Sequence, residues 1–482
     1  MKREERFIIR QCQKFSRTEL LKAAEKAAIE ADVPLEGFLD WIFRDLAHKY
    51  KEERMNKRLI LINKVKALGL RFPNGTVNKP YKAEIEIPTD ILKELNGIGV
   101  TGIRDLGLEF VKDPESDKFF LIGKPVVTVD TRLKLQFNTV DDESISEIEI
   151  PVAFNPNPRD LWRNIPSDEN IIFHKPDNES EYVKVEAGND GIPKKDIVAA
   201  SQRGRSHAQE GKPRDDHFKI LHDQNSDWYV LVVADGAGSA KYSRRGSEIA
   251  CNTIVEHCRN RLKDNYEFEN AILQWVNDKD NEEKRVRVTH DVYDIVFRGA
   301  VKAHEAIRKV ADANDDYKLK DFATTLMFAI CKKYDFGWFI ASFWVGDGAM
   351  AIYNEKEGTV KLLGTPDEGE FSGQTRFLTM PEIFHDRDAI SKRLKMAVVP
   401  DFTALFLMTD GVSDPMFSTD KNLNDPKKWA EFFEKLKTGF PEDEIPGVNL
   451  TDDNEDSHHE LLKWLDFWSP GDHDDRTIAI LY

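Results

Sequence analysis

Apolar positions set the first division of the chain. In the opening residues they recur every three to four positions. Leu20, Leu21, Ala24, Ala27 and Ala28 form one helical stripe; Pro34 breaks it, and Phe38, Trp41, Ile42, Leu46 and Tyr50 form a second. Ser16 and Glu19 stand at capping-box spacing ahead of the first stripe. Residues 1–58 therefore read as a helical region. Between 59 and 152 the period shortens to two: AEIEIP, KFFLIG, VVTVDTRLKLQF and ISEIEIPVAF are strand-like segments split by turns. They predict a small β-sandwich. Residues 153–192, rich in Pro, Asn and Asp and without periodicity, read as a linker docked through Trp162. From 193 to 482, apolar strands alternate with helical stretches, which predicts an α+β domain.

The stretch Gly97-Ile98-Gly99-Val100-Thr101-Gly102 fits G-x-G-x-x-G. A dinucleotide site needs a strand before the motif and a long helix after it. ILKEL precedes it and IRDLGLEF follows, so the context fails. A DNA-gripping hairpin between two helices would use a similar stretch, but no basic patch accompanies it. A glycine-rich turn is the expectation.

Composition narrows the class. The net charge of −17, with 32% charged and 40% hydrophobic residues, describes a water-soluble acidic protein and argues against nucleic acid or an anionic membrane as partner. No run approaches the roughly 18 apolar residues of a membrane span. The charged start MKREERFIIRQCQKF lacks the apolar stretch of a secretory leader. The four cysteines (Cys12, Cys251, Cys258 and Cys331) form no C-x-x-C pair, and the histidines lack zinc-finger spacing. Buried thiols in a reducing cytoplasm are expected.

The chemistry is carried by aspartates at strand edges. YVLVVAD ends at Asp235, WFIASFWVGD at Asp347 and TALFLMTD at Asp410; TIAILY begins just after Asp475. Each of the first three is followed by glycine, and a single Asp-Gly is a common turn. Three of them, each directly after a buried-type strand, describe carboxylates gathered at one rim of a sheet. Such a cluster repels itself and raises its own pKa values unless cations neutralise it. All-oxygen donors select Mg²⁺ or Mn²⁺ over zinc.

Six segments in order carry a resemblance. They are Gly204-Arg205-Ser206-His207 with Gly211-Lys212-Pro213-Arg214-Asp215-Asp216; Val232 to Ser239 (VVADGAGS); Phe322-Ala323-Thr324-Thr325; Gly346-Asp347-Gly348; Thr409-Asp410-Gly411-Val412; and Asp474-Asp475-Arg476-Thr477. Together they resemble the bacterial branch of the type 2C metal-dependent protein serine/threonine phosphatases, across about 195–482. More loosely, NGTVNKPYKAEIEI, GLEFV and KFFLIGKP resemble bacterial immunoglobulin-like domains.

The phosphatase resemblance implies a four-layer α/β/β/α sandwich with a two-metal centre between the sheets. Asp235 would bridge two Mn²⁺ or Mg²⁺ ions and Gly236 would offer its carbonyl. Asp410 and Asp475 would hold one ion, and Asp216, with Asp215, the other side. Asp347 with Asp410 would form a looser third site. It also implies a phosphorylated protein as substrate, a cognate serine/threonine kinase, and hydrolysis by a metal-activated water. The alternative is an inactive phosphatase-like scaffold, against which the complete acid set argues. Two departures stand out. Ala237 fills the place of a histidine that many members use as general acid, leaving His207 as the nearest substitute. The usual phosphate-gripping arginine does not align; among Arg203, Arg205, Lys212 and Arg214, Arg205 is favoured. His458 and His459 are read as exposed loop, and Trp464, Phe467 and Trp468 as core contacts.

Overall fold

The computed structural model describes residues 17–32, 34–114, 116, 118–140, 142–186, 194–364, 366, 375–385 and 387–482. Cys12 and the Ser16 capping reading fall outside them. The chain forms two compact units, 1–161 and 162–482.

In the first unit, helix α1 (Arg17–Glu30) buries Ala24 and Ala28, as its stripe predicts. Helix α2 (Leu35–Ala67) runs past residue 58, where a strand region was expected to begin. The reason is packing: Leu61 and Val65, one turn apart, enter the core of the β-structure that follows. That structure consists of two sheets, β1-β7-β6-β3 and β2-β5-β4. Their strands are β1 (Gly75–Thr76), β2 (Tyr81–Ile85), β3 (Leu95–Thr101), β4 (Leu108–Lys112), β5 (Phe119–Gly123), β6 (Val129–Thr139) and β7 (Asp142–Asn155). Leu121, Leu135, Ile150 and Phe154 fill the shared core. Most of the glycine motif is strand rather than turn: residues 97–101 lie in β3, antiparallel to β6, with a register shift between Asn96 and Ile98 where Gly97 takes φ +76°, and Gly102 falls in the bend that follows.

In the second unit, a five-stranded and a six-stranded antiparallel sheet pack face to face. The first has the order β10-β11-β12-β13-β16: His217–Asp223, Trp228–Ala234, Leu326–Tyr334, Gly337–Val345 and Leu394–Val399. The second runs β15-β14-β17-β18-β9-β8: Thr359–Leu362, Ala349–Asn354, Ala404–Met408, Arg476–Leu481, Ile197–Gln202 and Asn178–Val183. Alternation explains why β11 is apolar at every position. Tyr229, Leu231 and Val233 enter the core shared with the six-stranded sheet. Trp228, Val230 and Val232 pack beneath helices Ser243–Leu262 (α3) and Arg298–Ala311 (α4). On the far side, helices Pro426–Thr438 (α5) and Ser457–Trp464 (α6) cover the six-stranded sheet through Trp429, Phe432, Leu436 and Trp464. The expected α/β/β/α layering results. Cys251, Cys258 and Cys331 are buried, as are Trp464 and Phe467.

Part of the expected linker is sheet. Strand β8 pairs with β9 along six residues, so 178–183 is an edge strand of the second unit. His458 lies in the first turn of α6 rather than in a loop, and its Nδ1 meets Ser180 Oγ at 2.8 Å. Among the described residues no helix is long and apolar enough to cross a membrane.

Candidate metal centre

The strand ends deliver the acids to one rim. Asp235 follows β11; its N–H donates to Thr325 Oγ1 (2.9 Å), and its carbonyl accepts from Thr325 N–H and Thr324 Oγ1 (both 2.8 Å). Asp347 follows β13 after Gly346 at φ +120°, and Asp410 opens the short helix 410–417 after β17. Asp235, Asp347 and Asp410 each bring a carboxylate oxygen within 4.8 Å of the others. The glycine after Asp410 is there for proximity: a Cβ on Gly411 would sit 1.9 Å from the Asp475 carbonyl oxygen.

Asp216 completes the cluster from the β9–β10 connection. Its Oδ2 accepts from Thr477 Oγ1 (2.7 Å) and Thr409 Oγ1 (2.9 Å). Its Oδ1 is buried without a hydrogen-bond donor, and the carboxyl interacts with that of Asp235. Burial, then the Asp475 charge, pushes Asp216 up to about 7. Burial, then Asp410 and Asp216, pushes Asp235 well above the carboxylate range; burial, then Asp347 and Asp474, does the same to Asp410. Asp414, one turn past Asp410, rises to about 6 through burial and Asp347. Asp347 Oδ1 is also buried without a donor. Oxygen-only ligands, orphaned buried oxygens and mutual repulsion are the conditions that hard divalent cations relieve.

Asp475 differs from expectation. Its Oδ1 accepts from Gly204 N–H (2.6 Å) and meets His207 Nδ1 (3.0 Å); its Oδ2 accepts from Asp215 N–H (2.6 Å). Burial alone would raise it, but His207 and these N–H groups hold it below the ordinary value. It is an anchor for the loop that carries Asp215 and Asp216. Its neighbour Asp474 bears electrostatically on Asp216, Asp235 and Asp410, while Asp475 bears on Asp216 more strongly than Asp474 does. His207, Asp474 and Asp475 themselves form a second group of ligand atoms within 4.8 Å.

His207 faces carboxylates with both ring nitrogens, Nε2 lying 3.6 Å from Asp215 Oδ2. Burial lowers its pKa, but Asp475, Asp215 and Asp474 outweigh burial and raise it to about 9. Arg205 turns away from the acids: its Nη2 donates to the Asp466 carbonyl (2.9 Å) and carboxylate (3.0 Å), and it stacks over Trp468. Arg203 and Arg214 are buried structural cations, held by Asn164, Ile165 and Asp177, and by Ser201 and Glu179. The cation beside the cluster is Arg244, in the first turn of α3, with Nη1 3.1 Å from Asp215 Oδ1. The signal for it was its place eight residues past Gly236, at the start of the helix that follows the Asp235-Gly236 turn. Lys175, which burial brings down to about 7, donates to the carbonyls of Asp215 (3.3 Å) and Asp216 (2.9 Å). Ala237, buried, donates its N–H to the Ala323 carbonyl.

Two facing sheets thus carry at their rim a group of carboxylates that could hold a metal ion. The chain belongs to the protein phosphatase 2C family, whose sequence profile matches residues 203–466. Several solved structures are similar to it. One is the S. agalactiae serine/threonine phosphatase, 16% identical over 59% of this chain and 98% of that one, TM-score 0.34. Another is the catalytic domain of the serine/threonine protein phosphatase PstP in complex with two manganese ions (14%, 59% and 96%, TM-score 0.33). A third is PppA of Pseudomonas aeruginosa, described as a key regulatory component of T6SS (12%, 60% and 98%, TM-score 0.34). No curated protein matches the chain.

Proposed function

We propose that residues 162–482 hydrolyse phosphoserine and phosphothreonine in proteins with the help of two Mn²⁺ or Mg²⁺ ions. The observation that carries this reading is the carboxylate cluster: Asp235, Asp347 and Asp410 bring oxygens within 4.8 Å of one another, Asp216 interacts with Asp235, and the Oδ1 atoms of Asp216 and Asp347 are buried without a hydrogen-bond donor. Two divalent ions bound there would supply charge neutralisation for a phosphoryl group and an acidified water. Asp235 and the Gly236 carbonyl would help to hold them. Asp216, fixed by Thr409 and Thr477, would serve one ion, and Asp410 with Asp474 the other. Asp347 and Asp410, with Asp414 nearby, suit a looser third ion. Arg244 supplies the cation for the phosphoryl oxygens. His207 holds a proton between Asp475 and Asp215 and so keeps the acid-bearing loop in place. The described cysteines are buried, and burial raises all three thiols, so they make poor nucleophiles. Family membership supports a phosphoprotein substrate; a serine/threonine kinase as its source and the cytoplasm as its compartment belong to the proposal.

The test uses the whole chain stripped by chelator, then supplied with Mn²⁺ or Mg²⁺, against p-nitrophenyl phosphate and matched phosphoserine, phosphothreonine and phosphotyrosine peptides. Metal-dependent turnover favouring the first two peptides is expected. A folded chain that binds Mn²⁺ yet hydrolyses none of them would instead be an inactive phosphatase-like scaffold.

A further inference from the structure

Lys175 lies in the stretch 162–177, upstream of the matched residues 203–466. This stretch wraps the loop that carries the acidic pair. Ile165 N–H donates to the Ala208 carbonyl (2.9 Å), and Arg203 reaches back to the Ile165 carbonyl (3.0 Å). The Phe173 ring packs against Tyr242 and Phe322. Lys175 itself is 5% exposed. Its ammonium has three donors, and three acceptors stand around it: the Asp215 carbonyl (3.3 Å), the Asp216 carbonyl (2.9 Å) and Ser247 Oγ (2.9 Å). Ser247 Oγ also donates to the Asp215 carbonyl at 2.5 Å, which ties the same point to α3.

Burying an ammonium is costly, and a methionine would fill the space without that cost. What the lysine adds is a grip on two consecutive carbonyls whose residues carry the site's acids. On the amide side, Asp475 accepts from the N–H of Asp215 at 2.6 Å. The Asp215–Asp216 backbone is thus clamped between a cation and an anion, and the Asp216 carboxyl projects from the clamp towards Asp235.

We infer that Lys175 is a positioning residue for the metal centre, supplied by sequence outside the family match, which sets the Asp215–Asp216 pair for cation binding. This rests on the metal-dependent reading above. The test is Lys175→Met in the full chain, with Lys194→Met as a control. Lys194 is also a buried lysine, but it pairs with Asp227 instead. Mn²⁺ alone is titrated by calorimetry, circular dichroism checks the fold, and kcat and KM are measured on p-nitrophenyl phosphate. Residues that orient metal ligands typically cost roughly 10–100-fold in affinity when removed. Lys175→Met is therefore expected to weaken Mn²⁺ binding by at least about tenfold and to lower kcat more than it changes KM, while Lys194→Met leaves Mn²⁺ affinity intact. Should Lys175→Met not fold, Ser247→Ala removes one arm of the clamp, and a several-fold weaker Mn²⁺ affinity is expected. Wild-type Mn²⁺ affinity in folded Lys175→Met, or in Ser247→Ala where that variant stands in, overturns the inference while leaving the metal reading intact. A wild-type chain that binds no Mn²⁺ overturns both.

Discussion

Replacing His207 with Gln should remove a pH-dependent part of the second unit's stability, and the sign can be worked from the site. The folded state raises His207 from its ordinary 6.5 to about 9, because Asp475 and Asp215 face its two nitrogens and outweigh burial. A group whose pKa rises on folding stabilises fully below its unfolded pKa and loses that contribution as pH climbs through the folded one. The window is therefore pH 6.5 to 9, with stability falling towards the alkaline side. Each tenfold change in proton affinity carries about 1.4 kcal/mol, so the rise is worth about 3 kcal/mol. The assay is urea unfolding of the metal-stripped chain at steps across that window, followed by tryptophan fluorescence. Eight of the nine tryptophans lie in 162–482, so the signal reports mainly on this unit. Other groups titrate nearby, so the quantity to read is the difference between wild type and His207→Gln. That difference should be about 3 kcal/mol at pH 6 and shrink towards zero above pH 9. Parallel curves, or a gap that widens with pH, would refute the reasoning.

Three further outcomes are expected. Asp474→Asn should weaken Mn²⁺ binding with little change in thermal midpoint, whereas Asp475→Asn should lower the midpoint first, since charge-assisted hydrogen bonds of roughly 1.5–3 kcal/mol each are disturbed; calorimetry and thermal melts on both separate the roles. Arg244→Ala should raise KM for p-nitrophenyl phosphate and lower kcat/KM by about tenfold or more, a loss of at least about 1.4 kcal/mol, while Arg205→Ala should act on stability through Asp466 and Trp468. A chain beginning at residue 162 should fold and hydrolyse p-nitrophenyl phosphate; one beginning at 194 lacks β8 and Lys175 and should be less stable and poor at binding Mn²⁺, which melts and calorimetry on the two will show.

Much of the second unit was legible because buried strands leave continuous apolar runs, and an acid directly after such a run has little choice but to sit at the rim. Asp235, Asp347 and Asp410 came from that logic. It is silent where two acids are adjacent: nothing in Asp474-Asp475 says which carboxyl accepts from the N–H groups of Gly204 and Asp215, as Asp475 does. The cations were illegible for a similar reason. Arg205 and Arg244 are both arginines near helix starts, and their targets, Asp466 and Asp215, are set by tertiary packing. Lys175 sits in a stretch without periodicity, so no pattern marks it. The overrun of α2 past residue 58 was hidden because Leu59 to Ile62 is an apolar run that suits helix or strand until Leu61 and Val65 find their core.

The strand order of the six-stranded sheet has a consequence for biosynthesis. Strand β18, residues 476–481, lies in its interior, hydrogen-bonded to β17 on one side and β9 on the other. As the ribosome extends the chain, β9 emerges early and must wait nearly 280 residues for its partner. Until then an interior strand edge and the apolar face of the five-stranded sheet stay uncovered, and long-range pairings of this kind fold slowly. The unit should therefore fold after residue 481 has cleared the exit tunnel rather than piece by piece. Any nascent chain halted before it would be a substrate for chaperones, with Thr477 not yet in place to donate to Asp216.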